Sequence, residues 1–274
     1  MSRFMNSVNS GGTAVCGLYG EALPRLAASG VPFLVGGAFA LERYTGISRD
    51  TKDFDIFLRR RDLDAALTAL AAVGCRTEIT FPHWLAKAAT AEGVIDIIFS
   101  AGNGLAVVDD EWFTYAVDAT VLGIPVKLCP PEETIWSKAF IMERERFDGA
   151  DVAHLLRARA QGLDWQRLLG RFGPHWRVLL GHLVLFGFVY PGERWRIPSA
   201  VMRELTERLV REGDAPPADQ RLCFGTVLSR AQYLTDIESW GYRDARLSLG
   251  TMTVDDIARW TDAIEHREPP AAAA

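Results

Sequence analysis

Apolar and polar positions change period twice along the chain. Between residues 31 and 58 the pattern is short. "VPFLVGG" is an apolar run ending on two glycines, "AFALERYTG" has helical spacing and stops at Gly46, and "DFDIFL" alternates as a strand does. Upstream, Val15–Ser29 reads as a helix closed by Gly30, with Pro24 inside it as a potential kink. Downstream, "RDLDAALTALAAVG" is an amphipathic helix ending at Gly74. "CRTEIT", "HWLAKAAT" and "VIDIIFS" read as strands, and "AVDATVLGIPVKLC" reads as a hairpin turning near Gly123. After "PPEE" helical spacing takes over almost to Asp262. Pro131 suits a first helical turn, and Glu132 and Glu133 suit its positive end.

The expected class is therefore α+β. A mixed, partly antiparallel sheet flanked by helices occupies 13–130, and a helical domain with an aromatic core occupies 131–267. Residues 1–12 and 268–274 read as loose ends. The apolar run Val178–Tyr190 is short of a membrane span and interrupted by His182, so it predicts a buried helix and no membrane partner.

Composition narrows the function. The chain has 274 residues and a net charge of −5, which argues against strong non-specific nucleic-acid binding. Cys16, Cys75, Cys129 and Cys223 are scattered, with no histidine at ligand spacing, so neither zinc nor a disulfide framework is expected. The start of the chain has no apolar signal core, and the expected compartment is the cytoplasm. His83, His154, His175, His182 and His266 read as structural or exposed.

The candidate chemistry is acidic. Asp53 and Asp55, two apart on a strand, point to one face, where they repel each other unless a cation or proton intervenes. Asp96 sits in a second apolar strand, where it needs compensation from such a cation or from Lys87 across a hairpin. If the two strands are neighbours, three hard oxygen donors meet. That set suits Mg²⁺, two ions being expected and Mn²⁺ the alternative, at a phosphoryl-transfer site. Gly36 and Gly37 let a backbone approach phosphate, or simply make a tight strand-to-helix turn. Thr51 and Lys52 precede the acids within reach of phosphate, and Arg49 lies in the same segment. Lys138 lies at the margin of an apolar helix face, either covering it or aimed into a cleft. Asp148 and Asp151 have the spacing of an N-cap and a capping-box acid. The loop "YPGERWRIP" offers Trp195, Arg194 and Arg196 to an acceptor, or is an ordinary polar loop.

"LVGGAFAL", "RDTKDFDIFL" and "VIDIIF", followed by "PPEETIWSKAFIMERERFDGADVAHLL", resemble the nucleotidyltransferases of the DNA polymerase β superfamily, and most of all the bacterial branch related to abortive-infection toxins. The resemblance covers roughly 31–157. It implies Asp53, Asp55 and Asp96 as metal ligands, with Asp96 also taking the acceptor's proton. It implies Gly36 and Gly37 as the triphosphate cradle and Lys138 as its counter-charge. An NTP is the implied donor, an RNA end, a protein hydroxyl or a small molecule the acceptor, and an antitoxin a further partner. One departure is visible: Gly36-Gly37-Ala38 stands where many members carry Gly-Ser, so a phosphate-holding hydroxyl is missing. A non-catalytic binding module on the same fold is the competing expectation.

Overall fold

The computed structural model describes residues 10–51, 53–214 and 221–265. They divide into two compact units, one over Met1–Arg43, Ile47–Phe99 and Val108–Cys129, the other over Tyr44–Gly46, Ser100–Val107 and Pro130–Ala274.

The first unit is a mixed sheet with helices. In chain order it contains α1 (Ser10–Ala28), β1 (Leu34–Val35), α2 (Gly37–Thr45), β2 (Asp53–Phe57) and α3 (Leu63–Ala71). β3 (Arg76–Phe81), β4 (Leu85–Ala89), β5 (Val94–Ile98), α4 (Asp110–Thr114), β6 (Val117–Val121) and β7 (Ile124–Leu128) follow. The strand order is β3-β4-β5-β2-β1-β7-β6. The β2–β5 and β1–β7 pairs are parallel and the others antiparallel, as the expected partly antiparallel sheet requires. The core side of the centre is apolar: Phe54 and Ile56 of β2 and Ile95 and Ile97 of β5 are fully buried. Phe54 lies between Tyr19 of α1 and Phe39 of α2, with ring centroids 4.7 and 4.8 Å away.

One expectation here is corrected, and one element is added. α1 starts at Ser10, so residues 10–12 are helical; the remainder of the predicted loose N-terminus, like 268–274 and His266, lies outside the described residues. α4 has no counterpart in the pattern reading. At five residues it is too short to show a period, and its local signal is the cap: the Asp109 side chain accepts from the amides of Glu111 and Trp112.

The second unit is helical, with α5 (Pro131–Ala139), α6 (Gly149–Arg159), α7 (Trp165–Phe172), α8 (Trp176–Val189) and α9 (Ser199–Gly213). A smaller terminal part follows: β8 (Leu222–Cys223), α10 (Leu234–Glu238), β9 (Arg243–Asp244), α11 (Ala245–Ser248) and α12 (Val254–Glu265), with β8 and β9 in parallel. Glu132 and Glu133 do more than complement a helix end. They are buried against Arg167, and Glu133 also accepts from Arg171 at 3.0 Å.

The aromatic core is only partly as expected. Trp176, Phe172 and Phe186 are buried, while Trp195 and Trp240 are more than half exposed. The buried-helix reading of Val178–Tyr190 is also corrected. Leu179, Leu180, Leu183 and Phe186 of α8 face inward, but Val184, Leu185, Phe188 and Val189 face out. Trp165–Val189 is long and apolar enough to cross a membrane by length and composition alone, although a 3₁₀ turn at Gly173–His175 divides it into α7 and α8. Cys75, Cys129 and Cys223 are buried thiols.

Candidate active site

Period-two geometry puts the side chains of Asp53, Asp55 and Asp96 on one face. β2 and β5 run in parallel, with Asp55 directly opposite Asp96 and Asp53 opposite Val94. Neighbouring strands stand about 4.8 Å apart and residues two apart on a strand about 6.6 Å, so the Asp96 backbone is closer to Asp55 across the sheet than Asp53 is along the strand. All three are half-buried, and their neighbours Phe54, Ile56, Ile95 and Ile97 point the other way. The row is felt at Tyr19, whose hydroxyl donates to the Val94 carbonyl at 3.3 Å. Burial, and then the negative charges of Asp53, Asp55 and Asp96, push the phenol up to about 12.

The glycine pair abuts this row. The Gly36 amide donates to the Asp55 carbonyl at 3.0 Å, and the first turn of α2 closes when the Ala40 amide donates to Gly36. Gly37 has a φ of +54°, and a Cβ there would lie 1.7 Å from Asp55 Oδ2. A Cβ on Gly36 would lie 2.2 Å from the Phe57 ring, which stacks on buried Trp112. Both glycines are required by close approach, and the amino end of α2 begins against a carboxylate.

Lys87 of β4 faces Asp96 of β5 in register, and its Nζ donates to Asp96 Oδ1 at 2.8 Å. Burial nevertheless raises the Asp96 pKa above the ordinary carboxylate value. Lys87 opposes that shift and the Asp53 charge adds to it. Among the described residues no three His, Cys, Asp or Glu side chains are gathered at metal-holding distance. As a donor set, Asp53 and Asp55 fit a hard dication: both are carboxylates, on one face, beside a glycine turn. Asp96 can add a third oxygen donor through Oδ2, its Oδ1 being held by Lys87.

The other candidates fall elsewhere. The Thr51 hydroxyl donates to the Asp53 carbonyl at 2.9 Å and so braces the strand entry. Lys52 lies outside the described residues. Lys138 belongs to the second unit, where its Nζ donates to Asp148 Oδ2 and Asp151 Oδ2, both at 2.8 Å. Arg146 donates to both oxygens of Asp148, also at 2.8 Å. This corrects the capping reading of Asp148 and Asp151. Asp148 stands at the N-cap of α6 but makes no side-chain cap, because its carboxylate is committed to the two cations. Burial raises its pKa, but the Arg146 hydrogen bonds and the Lys138 and Arg146 charges prevail and bring it down to about 2. Arg194 donates to the Pro191 carbonyl and Arg196 is paired with Glu193, so the loop's cations are engaged within the loop itself.

Sequence reasoning missed three participants. Phe57 and Trp112 back the glycines, and Tyr19 senses the acids across 34 or more residues of chain. Only the alternation in "DFDIF" hinted at Phe57; the other two are fixed by packing.

No protein-family model matches the sequence. No curated protein matches it either. Among solved structures the chain is similar to the antibiotic-resistance factor ANT(2'')-Ia, at 16% identity over 62% of this chain and 97% of that one, with a TM-score of 0.45. It is similar to the lincosamide antibiotic adenylyltransferase LnuA, at 14% identity over 55% and 98%, with a TM-score of 0.37. A third similarity is to an antigenic nucleotidyltransferase-like protein from Paracoccidioides brasiliensis, at 14% identity over 70% and 97%, with a TM-score of 0.44.

Proposed function

We propose that this chain transfers a nucleoside monophosphate from an NTP to an acceptor hydroxyl and releases pyrophosphate. One observation carries the reading: Asp55 stands in register opposite Asp96, with Asp53 on the same face and the left-handed Gly37 turn pressed against the Asp55 carboxylate. In the reaction the acceptor oxygen bonds to the α-phosphorus, the bond from that phosphorus to the α,β-bridging oxygen breaks, and pyrophosphate leaves with the electron pair.

Asp53 and Asp55 would hold Mg²⁺ or Mn²⁺, which when bound supplies charge neutralisation for the phosphates. Gly36 and Gly37 add no side chain at the amino end of α2, whose first amides would face phosphate oxygens once a cation offsets the adjacent Asp55 carboxylate. Asp96 takes the proton of the attacking hydroxyl. Its burial makes it a better base than an exposed carboxylate, and Lys87 fixes one oxygen so that the other is presented.

A second reading, a nucleotide-binding module without turnover, is favoured by the Lys87–Asp96 pair and by the absence of a hydroxyl across Gly36-Gly37-Ala38. The test is incubation with each labelled NTP, Mg²⁺ or Mn²⁺ and cell extract, followed by a mass-spectrometric search for nucleotide adducts on RNA, protein and small molecules. Adduct formation with pyrophosphate release, lost in Asp53→Asn and Asp55→Asn, supports transfer. Binding without release under every acceptor favours the module, and equal turnover by the Asn variants removes the site assignment. Protein or RNA adducts that arrest growth would place the chain with the abortive-infection-like toxins and call for an antitoxin partner.

A further inference from the structure

α8 is apolar on all sides, the pattern of a helix buried all round, yet half of its circumference faces solvent. Val184, Leu185, Phe188 and Val189 are 58, 46, 82 and 51% exposed, and no charged residue occurs between Val178 and Gly192. At the usual size of such side chains this is roughly 400 Å² of apolar surface in one stripe. A stable interface takes about 800 Å² from each partner, a little over half of it apolar, so the stripe is close to what one interface core needs.

The stripe also has a shape. Gly181 lies on it two turns before Phe188, and the space around its missing side chain is open, with nothing within 4 Å of a built Cβ. When two copies of a helix pack antiparallel about a two-fold axis, opposed positions have a constant sum. An axis between Val184 and Leu185 sets 184 against 185 and 181 against 188. The most exposed apolar side chain on the helix then meets the one position on the stripe with no side chain, twice, as an isologous contact demands. The same register sets Arg177, already paired with Glu212, against Gly192, so no like charges oppose each other.

We propose that the outer face of α8 is a homodimer interface, with Phe188 of each copy seated over Gly181 of the other. Its occupant is a second copy of this chain. Light scattering and sedimentation of the full chain at micromolar concentration should give twice 30.3 kDa. Phe188→Glu and Gly181→Phe should each weaken the dimer by more than about tenfold while keeping the helical circular dichroism spectrum. Chains carrying Val184→Cys, mixed with chains carrying Leu185→Cys, should cross-link to each other on mild oxidation; this readout leaves Phe188 and Gly181 intact and survives any misfolding of the first two variants. A monomer at all concentrations, a dimer indifferent to Gly181→Phe, or no cross-link between the cysteine chains would each overturn the proposal. So would a monomer that floats with phosphatidylcholine–phosphatidylglycerol vesicles through Phe188, which would assign the face to a bilayer.

Discussion

Replacing Gly37 with alanine tests how tightly the candidate site is built. A residue with a side chain held at a φ of +54° costs about 1–2 kcal/mol. The added methyl would also lie 1.7 Å from Asp55 Oδ2 and 2.5 Å from its Cγ, so the Asp55 carboxylate must turn out of its place and β2 and α2 must give slightly at its Cβ, an overpacking cost of about 1–3 kcal/mol. Gly37→Ala should therefore destabilise the chain by about 2–5 kcal/mol. Asp55→Ala removes both of those atoms and leaves only the Asp55 Cβ at 2.9 Å. In that background the glycine substitution should retain its backbone strain and lose most of its clash. The coupling between the two sites is then about 1–3 kcal/mol. Urea unfolding of the four proteins, with unchanged m-values, measures it directly. Additivity within about 0.5 kcal/mol would refute the reasoning, because Gly37 and Asp55 would then not compete for one space.

Lys87→Met leaves a half-buried carboxylate without its cation, and should cost about 1–3 kcal/mol in the same assay while raising the Asp96 pKa further, readable by carboxyl NMR. Asp148 has a folded pKa lowered to about 2 from an ordinary 3.8, so the stability it confers is present above about pH 4 and is lost as pH falls through about 2. That window amounts to about 2 kcal/mol, and Asp148→Asn should flatten the acid limb of stability against pH by that amount. Glu133→Gln removes the buried charge shared by Arg167 and Arg171, leaving Arg167 its pair with Glu132, and should cost about 3–5 kcal/mol by denaturant titration, whereas an exposed exchange such as Glu145→Gln should stay within about 0.5.

What was legible in the sequence follows from what is local. Alternation in "DFDIFL" and "VIDIIFS" fixes which way each aspartate points, and glycines after an apolar run fix where β1 stops, so these features could be read directly. Strand adjacency is not local: that β5 lies beside β2 while β1 takes the other flank comes from the packing of α1, α2 and α3 on the core face. Lys87 was legible as the partner of Asp96 because a hairpin joins their strands. Asp148 was misread because capping spacing and ion-pair spacing coincide, and Lys138 with Arg146 decides between them. α8 was misread because apolar composition cannot distinguish a face turned to the core from one turned outward.

The sheet consists of two blocks. β3, β4 and β5 form a meander from contiguous sequence, and β2, β1, β7 and β6 form the rest; the parallel β2–β5 pair is the one strand pairing between them. The acidic row straddles that seam. Lys87 of the first block already offsets one of its charges at Asp96. A cation held by Asp53 and Asp55 together with Asp96 would bind across the pairing, so its binding and the cohesion of the two blocks would be coupled.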